Sequence, residues 1–190
     1  SRGLGDVYKR QRDFSSVVYD GTHSDKRSDL ITYQSYNEFS RGINSIPSSD
    51  ANYTDNYKHI RRTNLLIENA ETYSKPEDIK QYLGEAYFFR AYSYFDLLQL
   101  YGDVIITKKP LDITDPEMKV KRNDRSEVVD LIIDDLNHAV ENLPAFKELT
   151  TEEEGRISKE GAQAFLSRVA LYEGTWQKSR NGNQNTQRSA

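Results

Sequence analysis

The stretch YLGEAYFFRAYSYFDLLQLYG (Tyr82–Gly102) decides the fold class. It contains no proline, and its aromatic and leucine side chains fall all round a 3.6-residue period. That pattern predicts a helix buried on more than one side. Ala86, Ala91 and Ser93 are the small residues that let neighbouring helices approach. Upstream, Ser74-Lys75-Pro76-Glu77-Asp78 supplies a start, because proline is tolerated in a first helical turn where its missing N–H bonds nothing. Downstream, Gly102 suits the C′ position, which favours a positive φ. The helix is therefore predicted over Pro76–Tyr101.

Working outward, a second helix is predicted from about Asn52 to Tyr73. Tyr53, Tyr57, Ile60, Asn64, Ile67 and Glu71 form one rail, with Leu65, Leu66 and Ala70 beside it. After Gly102, GDVIITKKPLDI changes character. Val104, Ile105 and Ile106 are β-branched and Pro110 forbids a long helix, so an extended connection across the helices is expected. A third helix begins near Asp124 or Ser126, either of which can cap it. Val128, Val129, Ile132, Leu136, Ala139, Val140 and Leu143 share its apolar face, leaving Asp130, Asp134, Asp135, Asn137 and Glu141 for water, and Pro144 ends it. A fourth helix follows Ser158; a capping box would need Glu or Gln three residues on, where Gly161 stands. Residues 12–50 are turn-rich, with an irregular helical spacing over Leu30–Ile43.

Four helices separated by turns imply two antiparallel pairs. A faint internal repeat supports this: Ala86-Tyr87-Phe88-x-Arg90-x-x-x-Tyr94 aligns with Ala164-Phe165-Leu166-x-Arg168-x-x-x-Tyr172. The offset suits two units of the roughly 34-residue TPR type, or one unit with an insertion. The expected fold is all-α, with TPR-like antiparallel helix pairs forming an α-α superhelical scaffold joined by irregular loops.

Composition narrows the function. The 190 residues are 36% hydrophobic and 29% charged, with 13 Tyr and 7 Phe, and mean hydropathy is −0.83. Net charge is −4 with both signs interspersed, and the densest basic spots, Arg61-Arg62 and Lys119–Arg125, are short. No stripe suited to phosphate backbones is present, so nucleic acid is not an expected partner. Without cysteine there is neither a disulfide nor a thiolate metal site. No apolar run is long enough to cross a bilayer. The opening SRGLGDVYKRQ resembles translated adapter sequence at the edge of assembled environmental reads, so roughly residues 1–11 are set aside. Residues 12–178 form the helical region, and the polar run 179–190 reads as loop, disorder or a truncated tail.

Catalytic equipment is not evident. His23, His59 and His138 are far apart, and no HExxH, phosphate loop or G-x-S-x-G elbow occurs. His138 reads as a surface or boundary residue. Asp20, His23, Asp25 and Asp29 lack the glycine and glutamate of an EF-hand loop and read as a solvated loop. Asp134-Asp135, Glu68 with Glu71, and Glu152–Glu154 are neighbours on solvated faces, whereas glycosidase acids converge across a cleft. Arg90 and Arg168 lie inside apolar runs, which calls for ion pairs with Asp96, Glu85 or Asp135. Flat rings stack on sugars, but the Tyr82–Tyr101 aromatics sit at core spacing. The loop aromatics Tyr19, Tyr33 and Tyr36, with Trp176, are the candidates for ligand contact, against structural packing as the competing reading. No metal, cofactor or catalytic residue is expected.

Four blocks in this order resemble the SusD/RagB family of Bacteroidetes surface lipoproteins: NYKHIRRTNLLIENA (Asn56–Ala70), GEAYFFRAYSYFDLLQLYGDVIIT (Gly84–Thr107), RSEVVDLIIDDLNHAVENLP (Arg125–Pro144) and GRISKEGAQAFLSRVALYEGTW (Gly155–Trp176). Ile105 replaces the family's usual proline after Gly-Asp-Val, and Tyr53 stands where tryptophan is common. The resemblance implies a non-catalytic glycan- or nutrient-binding protein, held at the outer membrane by a lipid anchor whose lipobox cysteine lies outside this stretch. It further implies a SusC-like TonB-dependent transporter as partner, and a later region that supplies much of the ligand pocket. Ala86, Arg90, Ala91, Tyr101, Gly102, Asp103 and Arg125 carry over as scaffold positions. A TPR-type protein-interaction scaffold with no glycan ligand is the alternative.

Overall fold

The computed structural model describes residues 48–111, 115 and 120–188, with backbone alone from 178 onward. From Asp50 they belong to one compact unit. It comprises α1 (Ala51–Glu71), α2 (Pro76–Tyr101), α3 (Arg125–Asn142) and α4 (Lys159–Arg188), with short 3-10 turns at Phe146–Glu148 and Thr151–Glu153. The single β-type pairing among the described residues is an isolated bridge between Val104 and Asn123. The expected helix over Leu30–Ile43 lies outside the described residues, as do Asp20, His23, Asp25 and Asp29.

Local chemistry sets the helix ends. Asp50 Oδ1 accepts the Asn52 N–H at 2.9 Å, satisfying one of the donors a helix start leaves over. Pro76 occupies the first turn of α2. At its other end Gly102 has φ 71° and donates its N–H to Leu98 O at 3.1 Å, a backbone conformation that side chains resist. Glu127 reaches back to the Asp124 N–H at 3.1 Å. Ser158 Oγ accepts the Gly161 N–H at 3.3 Å. The glycine that denies this helix its capping box has a packing reason, since a Cβ there would stand 2.7 Å from Ile157 Cδ1. The last helix runs through Arg188, whereas the polar composition of 179–190 reads as loop. Extension adds one hydrogen bond per residue fixed, so a helix anchored by its packed half propagates into such sequence.

Contacts give the helix directions. Along α1 and α2, Asn56 meets Asp96 and Asn64 meets Arg90. Along α2 and α3, Arg125 meets the Leu98 carbonyl and Arg90 meets Asp135. Both pairs are therefore antiparallel. Phe88 packs on Phe165 and Phe95 on Tyr172, so α4 runs parallel to α2. The core gathers Ile60, Ala91, Tyr94, Leu97, Leu98, Val128, Ile132, Leu136 and Val169, all at most 1% exposed. Gly84 permits the closest approach of α2 and α3, because a Cβ would lie 2.9 Å from Leu143 Cγ.

Two expectations need correction. Asp135 does not face water. It is 1% exposed and takes Arg90 bidentately, Nε to Oδ2 at 2.8 Å and Nη2 to Oδ1 at 2.6 Å. Burial pushes its carboxyl above the ordinary 3.8, against the pull of Arg90. Of the three partners considered for Arg90, Asp135 is the one used; Asp96 accepts from Asn56, and Glu85 forms a bidentate pair with Arg156 at 2.7 and 2.9 Å. Arg168 is exposed on α4, so the repeat aligns two arginines in different environments. Nor is α2 buried all round: Tyr82, Phe89 and Tyr92 remain about half exposed. Three packed helices cannot cover the whole girth of a fourth.

Removing one member of a buried pair strands the other charge. Asp135→Ala should therefore lower unfolding free energy in a urea titration by about 3–5 kcal/mol, with part of the loss recovered when Arg90→Met is added. A single-variant loss no larger than that of an exposed aspartate would contradict this. Ala91 is fully buried, so Ala91→Leu should cost about 1–3 kcal/mol through overpacking; an unchanged melting curve would refute that contact.

Candidate functional site

Between α2 and α3 the chain runs extended from Val104 to Leu111, and this strap forms one wall of a cleft. Its β-branched residues and Pro110 disfavour helix, so its backbone polar groups need partners from elsewhere. Side chains supply them. Tyr57 donates its hydroxyl to Ile105 O at 2.8 Å, and Asn64 Nδ2 donates to Thr107 O at 2.8 Å and Lys109 O at 3.3 Å. The Tyr94 hydroxyl accepts the Thr107 N–H at 2.8 Å. On its other edge, Asn123 Oδ1 accepts the Ile106 N–H at 2.9 Å, and the Asn123 N–H donates to Val104 O at 2.9 Å.

Asn64 joins this wall to the core. Its Oδ1 accepts from Arg90 Nη1 at 2.9 Å, so a chain of hydrogen bonds runs from Asp135 through Arg90 and Asn64 to the strap. A fully buried asparagine with both ends used is rigid, and it holds the wall against α1.

The cleft itself has a volume of about 470 Å³. From α1 it is lined by Tyr53, Tyr57, Lys58 and Arg61, and from the strap by Ile105, Thr107, Lys109 and Leu111. The Tyr53 ring lies 4.8 Å from Tyr57 and meets Tyr101 edge-on at 5.2 Å. Tyr101 in turn donates to Asp50 Oδ2 at 2.6 Å. Burial pushes the phenols of Tyr57, Tyr94 and Tyr101 upward, with the Asp50 carboxylate adding to the effect at Tyr101. All three therefore remain protonated donors at neutral pH. A concave, mainly apolar site with a few convergent polar groups is the usual form of a small-ligand site. This one offers aromatic surface, hydroxyls and cations. Among the described residues, no three His, Cys, Asp or Glu side chains gather to hold a metal ion.

The expected ligand contacts fall elsewhere. Tyr19, Tyr33 and Tyr36 lie outside the described residues. Trp176 does not line the cleft; its ring sits 4.1 Å from the Arg125 guanidinium, which also pairs with Glu173 at 2.9 Å. His138 is exposed and stacks on Tyr87 at 4.9 Å. Asp134, Glu68, Glu71, Glu152 and Glu154 are exposed, as solvated faces should be. The scaffold positions do hold the helices together: besides Arg90, Tyr101 and Gly102, Asp103 Oδ1 accepts the Arg125 N–H at 3.0 Å. Tyr53 and Tyr57 were legible only as part of a core rail. The signal that separates them is chemical, since the rail carries tyrosines with Lys58 and Arg61 interleaved where a pure core rail would carry leucines.

Comparison with known proteins places this architecture. The family model described as starch-binding associating with outer membrane, of SusD-like type, matches residues 5–171. The chain belongs to the SusD-like family. It is 35% identical to SusD-like protein P38 of Formosa agariphila over 133 residues, 68% of this chain and 25% of that protein. With SusD-like protein P2 of the same organism it shares 31% identity over 65% of this chain and 24% of the relative. The match thus spans about a quarter of the length of these curated relatives. A SusD-like protein of known structure from Bacteroides fragilis superposes with TM-score 0.67 at 29% identity, covering 83% of this chain and 29% of that one. A laminarin-binding SusD-like protein gives TM-score 0.64 at 30% identity over 73% and 30%. The antiparallel helices are the TPR-like scaffold of this SusD-like chain, as the four sequence blocks implied.

Asn64→Ala would strip Arg90 of one partner and leave the Thr107 and Lys109 carbonyls wanting. It should cost about 1–3 kcal/mol and speed amide exchange at Ile106 and Thr107 more than in α3. Equal protection of those amides in both proteins would show that Asn64 does not hold the strap.

Proposed function

We propose that this chain is the helical part of a non-catalytic glycan-binding protein, and that the cleft between α1 and the strap is a saccharide subsite. The observation that carries the reading is the cleft's chemistry. Tyr53 and Tyr57 offer ring surface to the apolar face of a sugar, while hydroxyl, ammonium and guanidinium groups stand at its rim. Binding of this kind makes and breaks only hydrogen bonds and ring contacts. The names of the relatives support a carbohydrate ligand, and the family description supports an outer-membrane location. In this reading the protein is surface-exposed, anchored through a lipid outside this stretch, and passes its ligand to a SusC-like TonB-dependent transporter. No helix among the described residues is long and apolar enough to cross a membrane, which fits attachment by an anchor.

The test is affinity electrophoresis of the purified protein through gels containing plant, algal or bacterial polysaccharides. At least one should retard it, and Tyr53→Ala should weaken that retention about fivefold, the loss of about 1 kcal/mol of ring contact. Retention that survives Tyr53→Ala unchanged would remove the cleft from the binding site. Steady release of reducing ends from a retained polysaccharide would overturn the non-catalytic reading.

A further inference from the structure

We infer that the cleft selects acidic saccharides, those bearing a carboxylate or sulfate, over neutral ones. The inference rests on the reading of the cleft as a saccharide subsite and adds the charge of its ligand. The chain as a whole is acidic, with net charge −4, yet three of the cleft's lining residues are cations and none is an anion: Lys58 and Arg61 on α1 and Lys109 on the strap. Asp55, one turn before the cleft, holds Lys58 at 2.8 Å and offsets a single charge.

The placement is not an accident of one helix face. Lys58 and Arg61 follow from helical spacing, but Lys109 comes from the opposite wall, and its backbone carbonyl is held by Asn64. The buried relay from Asp135 through Arg90 and Asn64 therefore fixes the wall that carries the third cation. Two walls of like charge facing each other across an open cleft repel, and an anion between them relieves that repulsion. Arg61 Nε also donates to Leu111 O at 3.4 Å, which leans its guanidinium toward the strap. A planar guanidinium is suited to bidentate contact with a carboxylate or sulfate, while the lysines act as point charges. The tyrosines supply the ring contact that a bare anion would not use. Cations with adjoining aromatic rings fit an acidic sugar better than either a neutral glucan or an inorganic ion.

Affinity electrophoresis with three polymers separates the possibilities: neutral laminarin, polygalacturonate for the carboxylate, and a sulfated galactan for the sulfate. The expected result is stronger retention by one or both acidic polymers than by laminarin, falling about tenfold between about 0.05 and 0.5 M salt as the charges are screened. The double variant Lys58→Gln/Lys109→Gln should lose about tenfold in affinity for the acidic polymer. A control, Lys147→Gln/Lys159→Gln, removes equal charge from exposed positions beyond the other end of α2 and should change nothing. Circular dichroism and melting temperature confirm that both variants fold. Retention by laminarin alone, abolished by Tyr53→Ala, would overturn the charge inference while leaving the cleft a glycan site. Acidic retention lost equally in the control variant would overturn it as general surface charge. No retention by any polymer would overturn the charge inference and the saccharide reading together.

Discussion

The fold turns on a charge placed in the middle of a core. Arg90 is 5% exposed and Asp135 1% exposed, on helices that cross at that point. Desolvating two ions costs several kcal/mol each, and their attraction repays this only with good geometry and further hydrogen bonds. Here the guanidinium spends two donors on Asp135 and a third on Asn64. A buried pair of this kind is weak evidence for stability but tolerates few alternatives. It fixes α2 against α3, and through Asn64 it fixes α1 as well. Sliding any of the three helices by one turn would leave a buried charge without its partner, a penalty far larger than that of sliding apolar faces past one another.

The same relay explains how an irregular segment can serve as a wall. A strap without helix or sheet has every amide and carbonyl to satisfy, and one left to water would be mobile. Tyr57, Asn64, Tyr94 and Asn123 between them engage five consecutive strap positions, Val104 among them through the isolated bridge. The tyrosines are well suited to this. Each buries a large ring in the helix bundle and sends one hydroxyl out to the strap, so the core and the wall are built by the same side chains. This accounts for the chain's reliance on tyrosine: a leucine in the same place would pack equally well and leave a carbonyl unpaired.

The helices were legible in the sequence because their signals are local. Apolar period, Pro76, Gly102 and Pro144 act within a turn or two, and the observed bounds fall close to the expected ones. What was less legible depends on residues far apart in the chain. Asp135 follows Asp134 in an acidic, amphipathic run, and nothing within α3 distinguishes the one that turns inward; the distinction comes from Arg90, 45 residues earlier. The exposed rings of Tyr82, Phe89 and Tyr92 are the converse. An apolar run reports that a helix can be buried on several sides, not how many neighbours arrive to bury it.

The cleft was hidden for a related reason. Its two walls are separated by α2, and each looks ordinary alone: an amphipathic helix with tyrosines on its inner rail, and a short polar connection with two lysines. Only the fold sets them face to face. Ring-and-hydroxyl recognition of a flexible polymer gains little from each contact, so the entropy of ordering the protein side must already be spent before the ligand arrives. A wall pinned through Asn64 to a buried ion pair meets that requirement. The scaffold chemistry that the sequence did reveal, an arginine inside an apolar helix, is thus also what prepares the site that it did not.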